Sequence, residues 1–189
     1  SDQIKNKINN TKLVDQKALQ LMPSGAINNY VFQGKKGMLF EDMSSKWIIN
    51  DTLISGATAY ADFDNDGDLD LITNNINQIA TLYQNQTNES ANYLKLQFDY
   101  LKKNRFGIGT KAYAYVDGEL QYKELSPSRG FQASSEPIVH FGFGNAKTID
   151  SLKIIWPNRT FQVLKDVAVN QTLIIKPSNS SPYQYDTFK

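Results

Sequence analysis

The stretch YADFDNDGDLDL, from Tyr60 to Leu71, places five aspartates within nine consecutive positions. They alternate along the chain: Asp62, Asp64, Asp66, Asp68 and Asp70. The chain as a whole carries a formal net charge of +1, so this negative charge is local. Two carboxylates about 4 Å apart repel each other by roughly 4 kcal/mol at an effective dielectric constant of about 20. Converging carboxylates would therefore oppose folding of this loop unless a cation lay among them.

The glycine within this stretch indicates how the carboxylates converge. Asp62, Asp64 and Asp66 are followed at once by Gly67, where glycine permits a sharp turn that wraps oxygen atoms around one centre. Hard oxygen ligands suit Ca²⁺ best, and Mg²⁺ or Mn²⁺ less well. A loop that surrounds calcium with protein oxygens leaves little room for a substrate, so we expect a structural metal. The alternative is an acidic surface turn without a metal.

The loop differs from an EF-hand. The twelfth position counted from Asp62 is Thr73, where an EF-hand has a bidentate Glu, and the flanking segments are strand-like. Asp70, at the ninth position, can close the ligand shell early. We expect Asp68 to contribute its backbone carbonyl, with its side chain pointing to solvent. Side-chain ligation is assigned to the remaining four aspartates: Asp62, Asp64, Asp66 and Asp70.

Composition narrows the classes of function. The chain has 189 residues with 20 basic against 19 acidic side chains, so nothing predicts a nucleic-acid partner. No apolar run is long enough to cross a bilayer, so membrane insertion within this segment is not expected. The absence of cysteine and the single histidine, His140, exclude disulfides, thiolate nucleophiles and multi-histidine zinc sites. Without a nucleophile–base pair or a glycine-rich phosphate loop, an enzyme is the weakest hypothesis.

From residue 29 onward the hydrophobic pattern has a period of two, which predicts short strands. A strand, a turn and a strand are predicted for NYVFQ, GKKG and MLFEDM. Strands are also predicted on both sides of the acidic loop and in ATLYQNQ and NYLKLQFDYL. Further strands are predicted at 137–142, 149–156, 160–165 and 171–176. Regular short strands of this kind predict an all-β fold, as a sandwich or a barrel.

We divide the chain into four parts. Residues 1–28 form an N-terminal lead-in with one short helix, predicted over 11–22 from its apolar stripe. Residues 29–88 form a unit that contains the calcium loop, and residues 89–176 form a β-sandwich-like domain. The tail at 177–189 is expected to be unstructured or loosely docked.

The dipeptide Asp117-Gly118 predicts a two-residue hairpin turn that places Tyr113 opposite Tyr122. One face of the hairpin then carries four large side chains: Tyr113, Tyr115, Leu120 and Tyr122. We favour core packing for this face, because the opposite face is partly polar and one face must be buried. The alternative is a carbohydrate-binding surface, since aromatic rings suit the faces of sugars.

Three further side chains are candidates for particular roles. Arg129 can clamp an anionic ligand, but we favour a surface or strand-end role for it. His140, beside Phe141, is expected to be structural and not catalytic. Trp156 is expected to end a strand with its indole buried. The candidate ligand-binding residues are therefore Tyr113, Tyr115, Tyr122 and Arg129.

The segment ATAYADFDNDGDLDLITNN resembles the FG-GAP/VCBS repeats of integrin-like β-propellers, in which a D-x-D-x-D-G-x-x-D loop binds calcium between two strands of a blade. All four carboxylate positions match, and NYVFQGKKGMLFEDMSSKW is similar to the hairpin that precedes the loop in such repeats. The resemblance covers residues 29 to 85 and implies a partial β-propeller blade. Since a propeller needs several blades, we expect this chain to be the C-terminal part of a longer protein.

The second half of the chain resembles the ASPIC/UnbV domain. The matching stretches are NRFGIGTKAYAYVDGELQYKEL, RGFQASSEPIVHFGFG and IDSLKIIWPNRT. The order of a calcium-binding repeat and then this domain is similar to bacterial VCBS-repeat proteins and animal cartilage acidic proteins. That resemblance implies an extracellular or cell-surface protein, with its secretion signal upstream of this segment.

These observations predict a non-enzymatic, calcium-stabilised extracellular or cell-surface module for adhesion, recognition or assembly. Its expected partners are a protein or glycan at the cell surface and the remaining propeller blades of the parent chain. The alternative is a carbohydrate-binding module of a surface glycan system, which depends on the tyrosine face of the hairpin.

Overall fold

We analysed a computed structural model of the chain. It describes residues 23, 25–35, 37–49, 52–76, 78–87, 91–178 and 180–185. The helix predicted over 11–22 lies outside these residues. The chain divides into two compact units, Ser1–Ser55 and Gly56–Lys189.

Among its described residues, the first unit contains two short antiparallel strand pairs and one helical turn. Strand β1 (Ile27–Asn28) pairs with β4 (Thr52–Leu53), and β2 (Phe32–Lys35) pairs with β3 (Leu39–Asp42). The helical turn α1 (Ser44–Trp47) follows β3 directly. The strand, turn and strand predicted for this segment are therefore confirmed.

In the second unit, the acidic loop joins two neighbouring strands of a three-stranded sheet. These strands are β5 (Ser55–Ala61) and β6 (Asp70–Asn75), and β7 (Thr81–Tyr83) pairs antiparallel with β6. The strands predicted on both sides of the loop are confirmed. Because β5 and β6 are adjacent, the loop brings its first and last aspartates back to one end of the sheet.

The rest of the second unit is built from two larger sheets and a small hairpin. A three-stranded sheet has the order β13–β8–β16, with β8 (Asn92–Phe98), β13 (Ile138–Gly144) and β16 (Gln171–Ile175). A five-stranded sheet has the order β10–β9–β14–β15–β17. Its strands are β9 (Lys111–Val116), β10 (Glu119–Glu124), β14 (Thr148–Ile155), β15 (Thr160–Ala168) and β17 (Ser181–Pro182). The small hairpin pairs β11 (Ser128–Gly130) with β12 (Ala133–Ser134), and a single 3₁₀ turn, η1 (Lys102–Asn104), precedes β9.

Both larger sheets contribute to one hydrophobic core. The three-stranded sheet supplies Leu94, Leu96 and Phe141, and the five-stranded sheet supplies Leu152 and Ile154, all of them fully buried. Trp156 closes one end of this core, 1% exposed as predicted, with its ring stacked on Tyr100 at 5.2 Å. The all-β fold is confirmed for the described residues, in which strands dominate and no sheet closes into a barrel.

The hairpin register is confirmed, but its buried face is the opposite of the one favoured above. Asp117 and Gly118 both have positive φ, 51° and 78°, as a type I′ turn requires. Tyr115 and Tyr122 are 38% and 47% exposed, whereas Ala114, on the other face of β9, is completely buried. Core packing of the tyrosine face is therefore wrong. Small alanines let the two sheets approach closely, and the tyrosines lie on the outer face.

Several short elements were missed from the sequence, among them the β11–β12 hairpin and β17. The β11–β12 hairpin is only a few residues long and contains a register shift, so it has little periodicity to detect. The tail contributes β17 to the edge of the five-stranded sheet, and Tyr183 packs there against Phe161 with ring centroids 5.8 Å apart.

Candidate metal centre

The acidic loop brings three of its carboxylates together. Asp62, Asp64 and Asp70 each place one carboxylate oxygen so that all three oxygens lie within 4.8 Å of one another. Asp62 follows β5 and Asp70 begins β6, so the adjacent strands fix two of these side chains. Asp62 and Asp70 are buried and Asp64 is exposed, which leaves the group open on one side.

The other two aspartates are placed differently from one another. The Asp66 carboxylate accepts a hydrogen bond of 3.0 Å from the backbone N–H of Asp68 and lies outside the group of three. The Asp68 side chain is only 9% exposed, so the expectation that it points to solvent is wrong. Its Oδ2 accepts a 2.9 Å hydrogen bond from the backbone N–H of Thr87, in the segment after β7. Its Oδ1 is buried and has no hydrogen-bond partner.

Backbone N–H groups organise the loop around the two buried carboxylates. Asp62 accepts hydrogen bonds from the N–H groups of Asp66 and Gly67, at 3.1 and 2.9 Å. Asp70 accepts them from Phe63 and Asn85, at 2.9 and 2.8 Å. Hydrogen bonds to the ionised form stabilise it, so these dipoles offset part of the repulsion between the carboxylates. Asn85 and Thr87 also tie the segment after β7 to the loop.

The pKa of Asp66 reports the crowding of negative charge. The N–H of Asp68 stabilises the Asp66 carboxylate and acts to lower its pKa. Desolvation and the charges of Asp68, Asp64 and Asp62 act in the opposite direction and together raise the pKa above its usual value. Residual repulsion therefore remains after the backbone donors have been satisfied, which is the condition under which a cation stabilises the loop.

A buried lysine compensates one of these charges. Lys95, at the middle of β8, forms an ion pair with Asp62, and the two side chains are 9% and 1% exposed. The neighbours of Lys95 along β8, Leu94 and Leu96, point into the hydrophobic core. Lys95 therefore lies on the opposite face of this sheet, and the acidic loop covers it. A lysine that alternates with leucines suggests a solvent-facing side chain. The sequence pattern therefore does not predict the ion pair between Lys95 and Asp62.

The only histidine of the chain holds the turn of the loop. His140 lies opposite Lys95 in the β8–β13 register, and its Nε2–H donates to the carbonyl oxygen of Gly67 at 2.7 Å. Its ring stacks on Tyr93 with centroids 5.8 Å apart and planes 8° from parallel. Burial lowers the pKa of His140, so a neutral ring donating from Nε2 is the form at neutral pH. This contact fits the structural role expected for it.

Gly67 packs directly against the β domain, which is the pair of larger sheets of the second unit. Its φ of +104° belongs to a region that side chains other than glycine rarely adopt. A Cβ atom at this position would overlap the ring of Tyr93. Gly67 is therefore required twice, by the turn that gathers the aspartates and by the ring against which the turn packs.

The donor set fits a hard divalent cation. It offers carboxylate oxygens from Asp62, Asp64 and Asp70, with neither nitrogen nor sulfur among them. Oxygen-only sites of this kind select Ca²⁺, Mg²⁺ or Mn²⁺ over softer metals. The unpartnered Oδ1 of Asp68 is a further acceptor without a donor in the described structure. Asp66 and the carbonyl of Asp68 would complete the predicted ligand set.

The four predicted ligand-binding residues lie elsewhere in the second unit. Tyr113, Tyr115 and Tyr122 share the outer face of the five-stranded sheet. Arg129 lies on β11, with its guanidinium 4.7 Å from the ring centroid of Tyr60. The structure brings Tyr122 and Arg129 to one cleft, which Tyr113 and Tyr115 do not line.

Comparison with protein-family models identifies one part of the chain. Residues 100–182 match the family model described as ASPIC and UnbV. The predicted resemblance of the second half of the chain to this domain is thereby confirmed. The match runs from Tyr100 to the end of β17 and leaves out both the acidic loop and β8. No curated protein sequence matches the chain, and no helix among the described residues is long and apolar enough to span a membrane.

Replacing Gly67 with Ala tests the close approach of the loop to Tyr93. We expect Gly67→Ala to lower the free energy of unfolding by about 2 kcal/mol or more. The added Cβ atom would overlap the Tyr93 ring, and alanine would have to adopt an unfavourable φ. The matched control is Gly109→Ala, which has a φ of +86° and open space around the position, so it carries the backbone cost alone. Chemical denaturation measures both variants. Equal losses of stability would contradict the packing of the loop on Tyr93.

Replacing Lys95 with Met tests the charge balance of the loop. Removing one partner of a buried ion pair leaves an uncompensated charge and costs about 3–5 kcal/mol. We therefore expect Lys95→Met to lower the melting temperature measured in EDTA. Calcium should then restore more stability to this variant than to the wild type, because the metal replaces the lost positive charge. A calcium-induced shift equal to that of the wild type would show that Lys95 and the cation site are independent.

Proposed function

We propose that this chain is a non-enzymatic, calcium-stabilised module of an extracellular or cell-surface protein, used for adhesion, recognition or assembly. The observation that carries the proposal is the convergence of Asp62, Asp64 and Asp70 within 4.8 Å, in a loop that is packed onto the β domain. The resemblance of this loop to calcium-binding FG-GAP/VCBS repeats, stated from the sequence, supports the choice of metal.

The calcium site is proposed to have a mechanical function. The two buried carboxylates that would hold the ion also accept hydrogen bonds from both sides of the site. Asp62 is joined to Lys95 in the β domain, and Asp70 is joined to Asn85 in the segment after β7. An ion among these carboxylates would therefore stiffen the loop, its sheet and its contact with the β domain together. The residues of the loop supply ligands and hydrogen bonds, and none is needed for acid–base chemistry.

The proposed extracellular location rests on the resemblance of the chain to proteins that combine calcium-binding repeats with an ASPIC/UnbV domain. Calcium modules outside the cell bind their metal with dissociation constants of about 10⁻⁴–10⁻³ M. Residues 29–88 are proposed to form part of a propeller blade, completed by other blades of a longer parent chain. Several large apolar residues of the first unit are more than 45% exposed and are candidates for contacts with such blades, among them Phe32, Leu39, Phe40 and Trp47.

Calorimetry in calcium and in EDTA tests the proposed metal. Calcium at 100 times its dissociation constant stabilises the folded chain by about 2.7 kcal/mol. For a chain of this size, 1 kcal/mol raises the melting temperature by roughly 2–4 °C. We therefore expect a rise of several degrees in the wild type and none in Asp66→Ala.

Two controls make that result specific. Glu136→Ala removes an exposed carboxylate outside the loop and should keep the full calcium effect. Asp64→Asn preserves the shape of a loop side chain while removing its charge, and should lose most of the effect. A wild-type melting temperature that is the same in calcium and in EDTA would reject the proposal.

The second candidate function is a carbohydrate-binding module. The observation that favours it is the exposure of the tyrosine face, where Tyr115, Leu120 and Tyr122 are 38%, 52% and 47% exposed. Exposed aromatic rings on the face of a sheet can stack on the apolar faces of sugars, whereas buried rings would be inaccessible to a sugar.

A glycan array tests this candidate. We expect the wild type to retain specific glycans and Tyr115→Ala or Tyr122→Ala to lose them. Tyr30→Ala is the matched control, since Tyr30 is 66% exposed in the first unit. Binding that is absent in the wild type, or lost equally in the control, would rule out the tyrosine face as a sugar-binding surface.

A further inference from the structure

A cleft of about 320 Å³ lies in the second unit, beside the acidic loop, which contributes Leu69 to its lining. Its walls come from the end of β5, the end of β10, the β11–β12 hairpin and the start of β13. Its volume is at the lower end of the range for small-molecule sites, so it suits a ligand of one ring or a short chain. Among its lining residues are two cations, Arg129 and Lys123, and the aromatic residue Tyr60.

Arg129 is held in place with one edge of its guanidinium unused. The group lies over the ring of Tyr60, 4.7 Å from the centroid, and Nη1 donates to the carbonyl oxygen of Ser128 at 3.2 Å. Nε is sheltered from solvent and has no hydrogen-bond partner in the described structure. The N–H groups of Nε and Nη2 point the same way and form the two-pronged edge that matches a carboxylate. The structure satisfies the other side of the guanidinium and leaves this edge without an acceptor.

Lys123 adds a second positive charge to the same cleft. It alternates with Tyr122 along β10, so its side chain leaves the strand on the inner face and passes over the ring of Phe141, with Nζ 5.7 Å from the centroid. Burial lowers the pKa of Lys123, and the nearby charge of Arg129 lowers it further. Two cations that repel each other at a sheltered site are stabilised by an anion between them.

One carboxylate is already present at the rim. Glu124 lines the cleft, and its Oε2 accepts a 3.0 Å hydrogen bond from the hydroxyl of Tyr122. Desolvation and this hydrogen bond raise the pKa of Tyr122 to about 12, so its hydroxyl stays protonated at neutral pH. The charges of Arg129, Lys123 and Glu124 sum to one net positive charge. That balance matches a monoanion better than a dianion such as phosphate.

We propose that this cleft binds a small organic carboxylate. Arg129 takes the carboxylate through its Nε and Nη2 edge, Lys123 adds a point charge, and Tyr60, Leu69 and Ile138 provide walls for the apolar part of the ligand. The site uses none of the calcium-binding aspartates, so it does not require the metal proposed above.

Nuclear magnetic resonance offers a direct test, because the only histidine of the chain, His140, also lines the cleft and gives one set of ring signals. The full chain would be titrated with sodium glucuronate at a fixed free calcium concentration. Glucose is the uncharged match for this probe, and sodium sulfate is the anion without a planar carboxylate. We expect saturable shifts of the His140 ring and of the Arg129 Nε–H signals with glucuronate alone.

Variants assign the shifts to the cleft. Arg129→Gln should weaken glucuronate binding by about tenfold or more, since it removes a two-pronged charged hydrogen bond. Lys123→Gln should weaken glucuronate binding by a smaller factor. This variant provides the test of the cleft if Arg129→Gln fails to fold. The matched control, Arg105→Gln, changes an exposed arginine outside the cleft and should bind as the wild type does.

Three results would overturn the proposal. They are an absence of saturable shifts, equal affinity for sulfate or glucose, and unchanged affinity in both cleft variants. The last result would also identify shifts that arise only because glucuronate withdraws calcium from the acidic loop, since that effect does not require Arg129 or Lys123.

Discussion

The position of the acidic loop depends on one close contact between backbone and ring. Gly67 lies against Tyr93, its carbonyl oxygen accepts a hydrogen bond from His140 Nε2–H, and the Asp62 carboxylate is paired with Lys95. Tyr93, Lys95 and His140 all belong to the paired strands β8 and β13, which also form one wall of the hydrophobic core. The geometry of a charged loop is thus set by a rigid sheet on which it rests.

This contact explains how a loop with five aspartates is compatible with a stable fold. Backbone N–H groups and one buried lysine offset part of the negative charge, whereas desolvation and the charges of the neighbouring aspartates act to raise the pKa of Asp66. A cation would offset the remaining negative charge, and by doing so would also strengthen the contact with the β domain. Metal binding would therefore be coupled to the contact with the β domain, although the acidic loop and that domain are separate segments of the sequence. The cleft proposed to bind a carboxylate lies in the same unit and includes Leu69 of the loop and His140 among its lining residues.

The sequence predicted the strands well and the contacts between segments poorly. Alternation and the Asp117-Gly118 turn were sufficient for the strands and the hairpin register, because both depend on neighbouring residues. The alternation did not reveal which face of the hairpin is buried, because alanines are as compatible with a closely packed core as tyrosines are. The aspartate spacing predicted a converging loop. It could not reveal Lys95 or Tyr93, because their roles arise only when distant segments pack together.

Calcium binding by the acidic loop is tested most directly by an anomalous diffraction map from crystals of this chain grown with calcium. We expect one anomalous peak among the carboxylates of Asp62, Asp64 and Asp70, with Gly67 still packed on Tyr93. A loop that is ordered in this position without any peak, at a calcium concentration that saturates known extracellular sites, would contradict calcium binding there. A peak bound only by residues outside the loop would contradict it equally.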